Sequence, residues 1–138
     1  MRANEFRYHT MAELEHRGRD EVMEDMISEA NDGPDYMCTS FDINTFDPTF
    51  VPGPGAPEPG GLMPREIFQI IRQLCAKSQV IGFEIVELAP LMDPTHVSAS
   101  NANRTIRECL TGVAMRKMGI TEPDDKSPLT VSHGRAIE

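Results

Sequence analysis

Two short, mostly apolar runs bracket one amphipathic segment, and that arrangement narrows the fold more than any other feature of the chain. The runs are Tyr36-Met37-Cys38-Thr39-Ser40-Phe41 and residues 79–88, QVIGFEIVEL. Each has the length of a strand, and its apolar character predicts a strand buried on both faces, with Glu84 and Glu87 as anomalies in the second. Between them Pro64-Arg65-Glu66 opens a predicted helix to about Lys77. Pro suits a first helical turn, and Ile67, Phe68, Ile70, Ile71, Leu74 and Cys75 give the helix one wide apolar face. Two strands joined through a helix lie parallel, because the crossover returns the chain to the same end of the sheet.

The flanking segments extend this pattern. A helix is predicted from about Ser98 to Met118, with Ile106, Cys109, Leu110, Val113 and Ala114 on one face and Gly119 as its C-cap. Upstream, Thr10-Met11-Ala12-Glu13 has the form of a capping box and predicts a helix over about 11–31, broken near Gly18 and stopped by Asn31-Asp32-Gly33-Pro34. Its second half carries the stripe Val22, Met23, Met26, Ile27 and Ala30. Phe6-Arg7-Tyr8-His9 reads as a short strand. The fold class is therefore α/β with a parallel sheet, over residues 1–120, followed by a polar tail at 121–138 expected to be poorly ordered.

Charge and cysteine usage exclude several functions. Acids outnumber bases 22 to 13, for a net charge of −9. That opposes nucleic-acid binding, which needs clustered Lys and Arg, and binding to an anionic membrane surface. No run approaches the roughly 18 apolar residues of a membrane helix, and the first residues lack the apolar core of a signal peptide. Twelve acids and four bases fall within residues 1–50, which marks a solvated acidic helix face. Cys38, Cys75 and Cys109 lie on apolar stretches and read as buried thiols in a reducing compartment, so the expected location is the cytoplasm.

The polar ends of the runs are where chemistry concentrates. The first passes into Asp42, Asn44 and Asp47-Pro48, then into residues 51–61, VPGPGAPEPGG, with four Pro and four Gly in eleven positions. By composition this is a linker or long loop. Asp42 and Asp47 suit turns. Glu87 near a buried strand calls for a partner, such as Arg65 or Arg104. In parallel sheets, ligands bind outside the carboxyl ends of the strands.

Taken together, Ser40-Phe41-Asp42-Ile43-Asn44-Thr45-Phe46-Asp47-Pro48, the loop that follows, and Phe83-Glu84-Ile85-Val86-Glu87-Leu88-Ala89-Pro90 resemble the C-terminal signature of the ureohydrolases, the arginase/agmatinase family. There the first motif reads S-x-D-[IV]-D-x-x-D-P, the loop P-G-T-G-T-P-E-P-G-G, and the second strand D-[IV]-V-E-[VL]-N-P. The resemblance runs from about residue 6 to 118 and looks closest to agmatinase-like and guanidine-hydrolase-like members. It implies a partial three-layer α/β/α parallel sheet. It also implies metal-dependent hydrolysis of a guanidino (amidine) C–N bond with release of urea. The cofactor implied is a binuclear manganese (or nickel) centre that activates water at neutral pH.

Carried over residue by residue, Asp42 matches a bridging metal ligand, Asn44 a second ligand, and Glu87 the acid that binds the substrate guanidinium. No residue of this chain matches a catalytic acid or base. The partners implied are a small cationic guanidino compound and ureohydrolase-like chains in a homo- or hetero-oligomer, a trimer or hexamer.

The departures carry equal weight. Position 44 is Asn where the family has Asp, positions 54 and 56 are Pro and Ala where Thr is usual, Glu84 replaces Asp, and Ala89 replaces Asn. The family's Gly-Gly-Asp-His and Asp-Ala-His-x-Asp segments, which supply its other ligands, have no counterpart here. His9, His16, His96 and His133 match none of them and read as surface or loop histidines. Two expectations follow. The chain is part of an agmatinase-like hydrolase, incomplete and inactive alone. Alternatively, it is a non-catalytic subunit that stabilises an active full-length homologue.

Overall fold

The structure, a computed structural model, describes residues 6–120. The polar tail at 121–138, with His133, lies outside the described residues. The element order is α1 (Met11–Arg17), α2 (Arg19–Asn31), β1 (Met37–Asp42), a 3₁₀ turn (Ile43–Thr45), α3 (Pro64–Lys77), β2 (Val80–Val86), a second 3₁₀ turn (Pro90–Met92) and α4 (Val97–Lys117). The α/β class and parallel sheet expected from the sequence are present. β1 and β2 pair in parallel, with Phe41 opposite Ile85 and Asp42 opposite Val86.

Local chemistry accounts for the boundaries. Thr10 caps α1 by accepting the Glu13 amide at 3.1 Å. Gly18, at φ 91°, breaks the N-terminal helix in two where the sequence places the break. Glu66 reaches back to the Met63 amide at 2.9 Å and closes the first turn of α3. Phe6–His9 does not form the expected strand: among the described residues the sheet consists of β1 and β2, and neither pairs with it. Instead Arg7 reaches the Glu29 carbonyl and the Asp32 carboxylate, each at 2.9 Å, and so lays the segment along the end of α2.

One core joins the sheet to α3 and α4. It contains Phe41, Ile43, Phe46, Val51, Ile67, Ile71, Cys75, Val80, Ala102 and Cys109. A smaller cluster of Met23, Ile27 and Leu74 seats α2 on α3. The expectation that the strands are buried on both faces is corrected. β1 alternates, with Phe41 turned into the core and Cys38, Ser40 and Asp42 exposed; Ile81 and Glu84 of β2 are exposed likewise. The helices of the described chain pack on one face, so the period-two alternation of a strand leaves the other set outside. For the same reason Cys38 is not the buried thiol expected, whereas Cys75 and Cys109 are.

The packed face of α4 also differs from its expected apolar face. Ser98, Ala102, Thr105, Glu108, Cys109 and Gly112 are buried, while Ile106 and Leu110 are 44% and 62% exposed. Small side chains let α4 approach α3 closely, and the larger ones are displaced to the flank. Buried Glu108 is held there by Arg72 and Arg104, at 2.6 and 2.5 Å. The Cys75 and Cys109 sulfurs lie 2.9 Å apart in this interface. Burial, and then the contact with Cys109, push the Cys75 thiol well up, so it stays protonated.

Candidate functional site

The carboxyl ends of β1 and β2 face the same way because the strands are parallel. The register sets Asp42 beside Val86, so Glu87 follows one residue further along the neighbouring strand. The structure therefore sets Glu87 at the same strand end as Asp42 and Asn44, although the sequence separates it from them by more than forty positions.

Asp42 is exposed at the end of β1. Its Oδ1 accepts the Asn44 amide at 2.8 Å, which caps the 3₁₀ turn and fixes both residues. Asn44 is half-buried, and its side-chain Oδ1 is fully enclosed with no hydrogen-bond partner. A buried amide oxygen without a donor is costly and is an available acceptor. Asp47, by contrast, is occupied. It accepts the Thr49 amide at 2.9 Å and the Gly60 amide at 3.0 Å, tying together the two ends of the Gly/Pro loop. The Thr49 hydroxyl and amide, with the Gly60 amide, hold its carboxyl below the usual range. Asp47 is thus the clasp of the loop.

Glu87 is exposed and takes φ 64°, a left-handed conformation uncommon for a residue with a side chain. Among the described residues its side chain makes no hydrogen bond or ion pair. The partners available by sequence are not with it; Arg104 is committed to Glu108. The loop stands against this strand end. Pro54 bridges Leu88 in antiparallel fashion, the Ala89 amide donates to the Gly53 carbonyl at 2.9 Å, and a methyl placed on Gly55 would lie 3.8 Å from Glu87 Oε2. Of residues 51–61, ambiguous by composition, Gly53–Gly55 stand as a wall beside Glu87, while Gly60 and Gly61 lie against Asp47. Glu84, opposite Ser40, points outward and takes no part in the core.

Asp42 and Asn44 offer oxygen donors of the kind a hard divalent cation accepts. No group of three or more His, Cys, Asp or Glu converges among the described residues. His16 and His96 are exposed, and His9 lies by Glu13 and Glu29 on the N-terminal helices. Among the described residues, Asp42 and Asn44 are thus two oxygen donors with no converging cluster of His, Cys, Asp or Glu around them. No helix among them is long and apolar enough to cross a membrane.

Two residues escaped sequence reasoning. Asp93 and Ser98 are buried at the start of α4, behind the loop, and Ser98 Oγ accepts the Gly53 amide at 2.8 Å. The only signal was the D-x-T-x-x-S spacing of a helix start, which does not reveal a bond to a distant loop.

Comparison with known proteins is consistent with this geometry. The family model described as arginase family matches residues 1–112. A formimidoylglutamase from Halobacterium salinarum is 43% identical over 89 residues, which is 64% of this chain and 29% of that protein. The mitochondrial agmatinase of Gallus gallus is 40% identical over 72 residues, 52% of this chain and 20% of the enzyme. Among solved structures, the arginase from Bacillus caldovelox superposes with a TM-score of 0.73 at 31% identity, covering 80% of this chain and 37% of the arginase. The chain thus spans less than a third of the length of these two curated relatives.

Proposed function

The chain belongs to the arginase family, and on that premise we propose that Asp42, Asn44 and Glu87 are its share of a site that hydrolyses a guanidino C–N bond and releases urea. The observation that carries this reading is the placement of three oxygen-bearing side chains at one end of a parallel strand pair: exposed Asp42, engaged only through Oδ1 by the Asn44 amide, the orphaned Asn44 Oδ1 and the unpaired Glu87 side chain.

The roles follow from charge and geometry. Glu87 is the anion for a planar guanidinium, whose parallel N–H groups match a carboxylate. The 53–55 wall shields one side of that pair from water, which strengthens it. Asp42 and Asn44 would contribute ligands to a divalent-metal centre, manganese or nickel, whose chemistry is to lower the pKa of water. The remaining ligands come from outside the described residues. The substrate class is a small cationic guanidino compound. Free thiols favour a reducing, cytoplasmic setting.

A second reading rests on Asn44 and Ala56, a neutral ligand where charge is needed and a methyl where the family carries a hydroxyl. In it the chain is a non-catalytic member of a mixed trimer or hexamer with full-length ureohydrolase-like chains.

Manganese titration followed by electron paramagnetic resonance separates the two. The first reading expects manganese binding that is lost in Asp42→Asn, and urea release from agmatine, guanidinobutyrate or guanidine once the other ligands are present. The second expects Asn44→Asp to gain manganese affinity, and the unsubstituted chain to co-elute with a full-length agmatinase without adding activity. No manganese or nickel binding, no urea and no co-elution would overturn both.

A further inference from the structure

Asp93 and Ser98 are 1% and 0% exposed behind the Glu87 end of the site. Asp93 accepts the Thr95 amide at 3.0 Å, the Ser98 amide at 2.7 Å and the Thr95 hydroxyl. The Ser98 hydroxyl oxygen, with lone pairs to spare, accepts the Gly53 amide at 2.8 Å. The Thr95 hydroxyl, then the amide and hydroxyl of Ser98, hold the Asp93 carboxyl far below its ordinary range, so it remains charged and acceptor-only.

Gly53 passes this position on. Its carbonyl takes the Ala89 amide, and the next residue, Pro54, bridges Leu88. There is no slack in the contact: a methyl on Gly53 would fall 2.7 Å from Asp93 Cβ and 2.8 Å from Ser98 Oγ. Glu87 precedes the pairing, in its left-handed conformation. Such a conformation persists only where its surroundings over-determine it. An ordinary helix cap would satisfy the Thr95 and Ser98 amides, but would not bind a loop 45 residues away.

We propose that Asp93 and Ser98 are positioning residues for Glu87. They pin Gly53, and the pinned 53–54 segment, paired with 88–89, holds Glu87 in its left-handed conformation beside the loop wall. The functional consequence rests on the guanidino reading of Glu87; the positioning itself does not.

The test is nuclear magnetic resonance on the isotope-labelled full chain. Ser98→Ala removes the hydroxyl and leaves the backbone cap. The expected result is amide exchange at Gly53 about tenfold faster, the scale of one lost hydrogen bond. The Gly55 and Leu88 signals and the Glu87 side-chain carboxyl carbon shift with it, while Thr105, Cys109 and Gly112 in the α4 core hold still. Gly53→Ala, which wedges the loop off α4, gives the same local pattern. Unmoved Glu87 and Gly55 signals overturn the proposal, as does a change in which the α4 core moves equally. If Ser98→Ala fails to fold, Asp93→Asn, which keeps the size and one acceptor, is judged by the same signals. Agmatine added to the unsubstituted chain shifts the Glu87 carboxyl signal if that acid binds guanidinium. A missing response counts against the guanidino reading alone, and the Ser98→Ala signals still decide the positioning role.

Discussion

The two strand ends that make up the candidate site are built by different means. At the end of β1, Asp42 bonds to Asn44 two residues on, and Asp47 to Thr49 two residues on. Phe46 then drops into the core at 1% exposure, edge-on to Phe41 and Phe68. The geometry is local, short in sequence and set by side chains that accept their neighbours' amides. At the end of β2, Glu87 has no such support. Its conformation is held from outside, by a loop that precedes it by some thirty residues and a helix that follows it. The first end takes its turn from its own residues, and Leu62 and Phe68 then close on it. The second requires the tertiary structure to be complete.

Substitutions can pull the two ends apart, and the largest effect is expected from the β1 side. Phe46→Ala removes a fully buried ring from the main core and should lower stability by about 3–5 kcal/mol. It shows as a reduced midpoint in urea unfolding. Glu108→Ala acts on the frame that both ends share. It removes the buried carboxylate, leaves the partly exposed Arg72 and Arg104 without their shared acceptor, and should cost about 1–2 kcal/mol. Its signature is a lower midpoint with no preference for either strand end in hydrogen exchange.

Acid should weaken the β2 end more than the β1 end, because Asp93 is held further below its ordinary range than Asp47. The Asp93 carboxyl is held below its unfolded value, so its contribution is fully present above a pH of about 4 and is lost as pH falls further, through the folded value. Asp93→Asn should be less stable than the parent at neutral pH, and the gap should narrow in acid. Urea midpoints at pH 7 and pH 3 check this; a gap that stays constant would show that the charge of Asp93 is irrelevant. The smallest effect concerns the open face of β1. A thiol reagent should modify Cys38 quickly in the native chain, while buried Cys75 and Cys109 react only on unfolding. Cys38→Ser should abolish the fast phase and leave stability almost unchanged.

This contrast also explains how far the sequence could be read. α3 was legible to its boundaries, because Pro64, an amphipathic stripe and Lys77 are all local signals. The parallel order of β1 and β2 followed from the helix between them. Asp42 and Asn44 stood out because the turn that fixes them to each other lies within a few residues. The role of Asp93 and Ser98 was invisible because it consists in a bond to Gly53, and no periodicity encodes a partner so distant. The packed face of α4 was misplaced because size, not hydrophobicity, decides which residues fit closest to α3. An apolar stripe through Ile106 and Leu110 gave way to Ala102, Thr105 and Gly112. The exposed face of β1 was missed because a mostly apolar run gives no warning that helices will pack on only one side.

The left-handed backbone at Glu87 has a consequence for how this chain would change under selection. A side chain at φ 64° carries about 1–2 kcal/mol of conformational cost that glycine does not. Glu87→Gly should therefore raise the melting temperature slightly, since the relief outweighs the added freedom of the unfolded chain. The same substitution deletes the carboxylate. At this position robustness and chemistry trade against each other, and a lineage screened for heat tolerance alone would drift toward glycine and lose the acid.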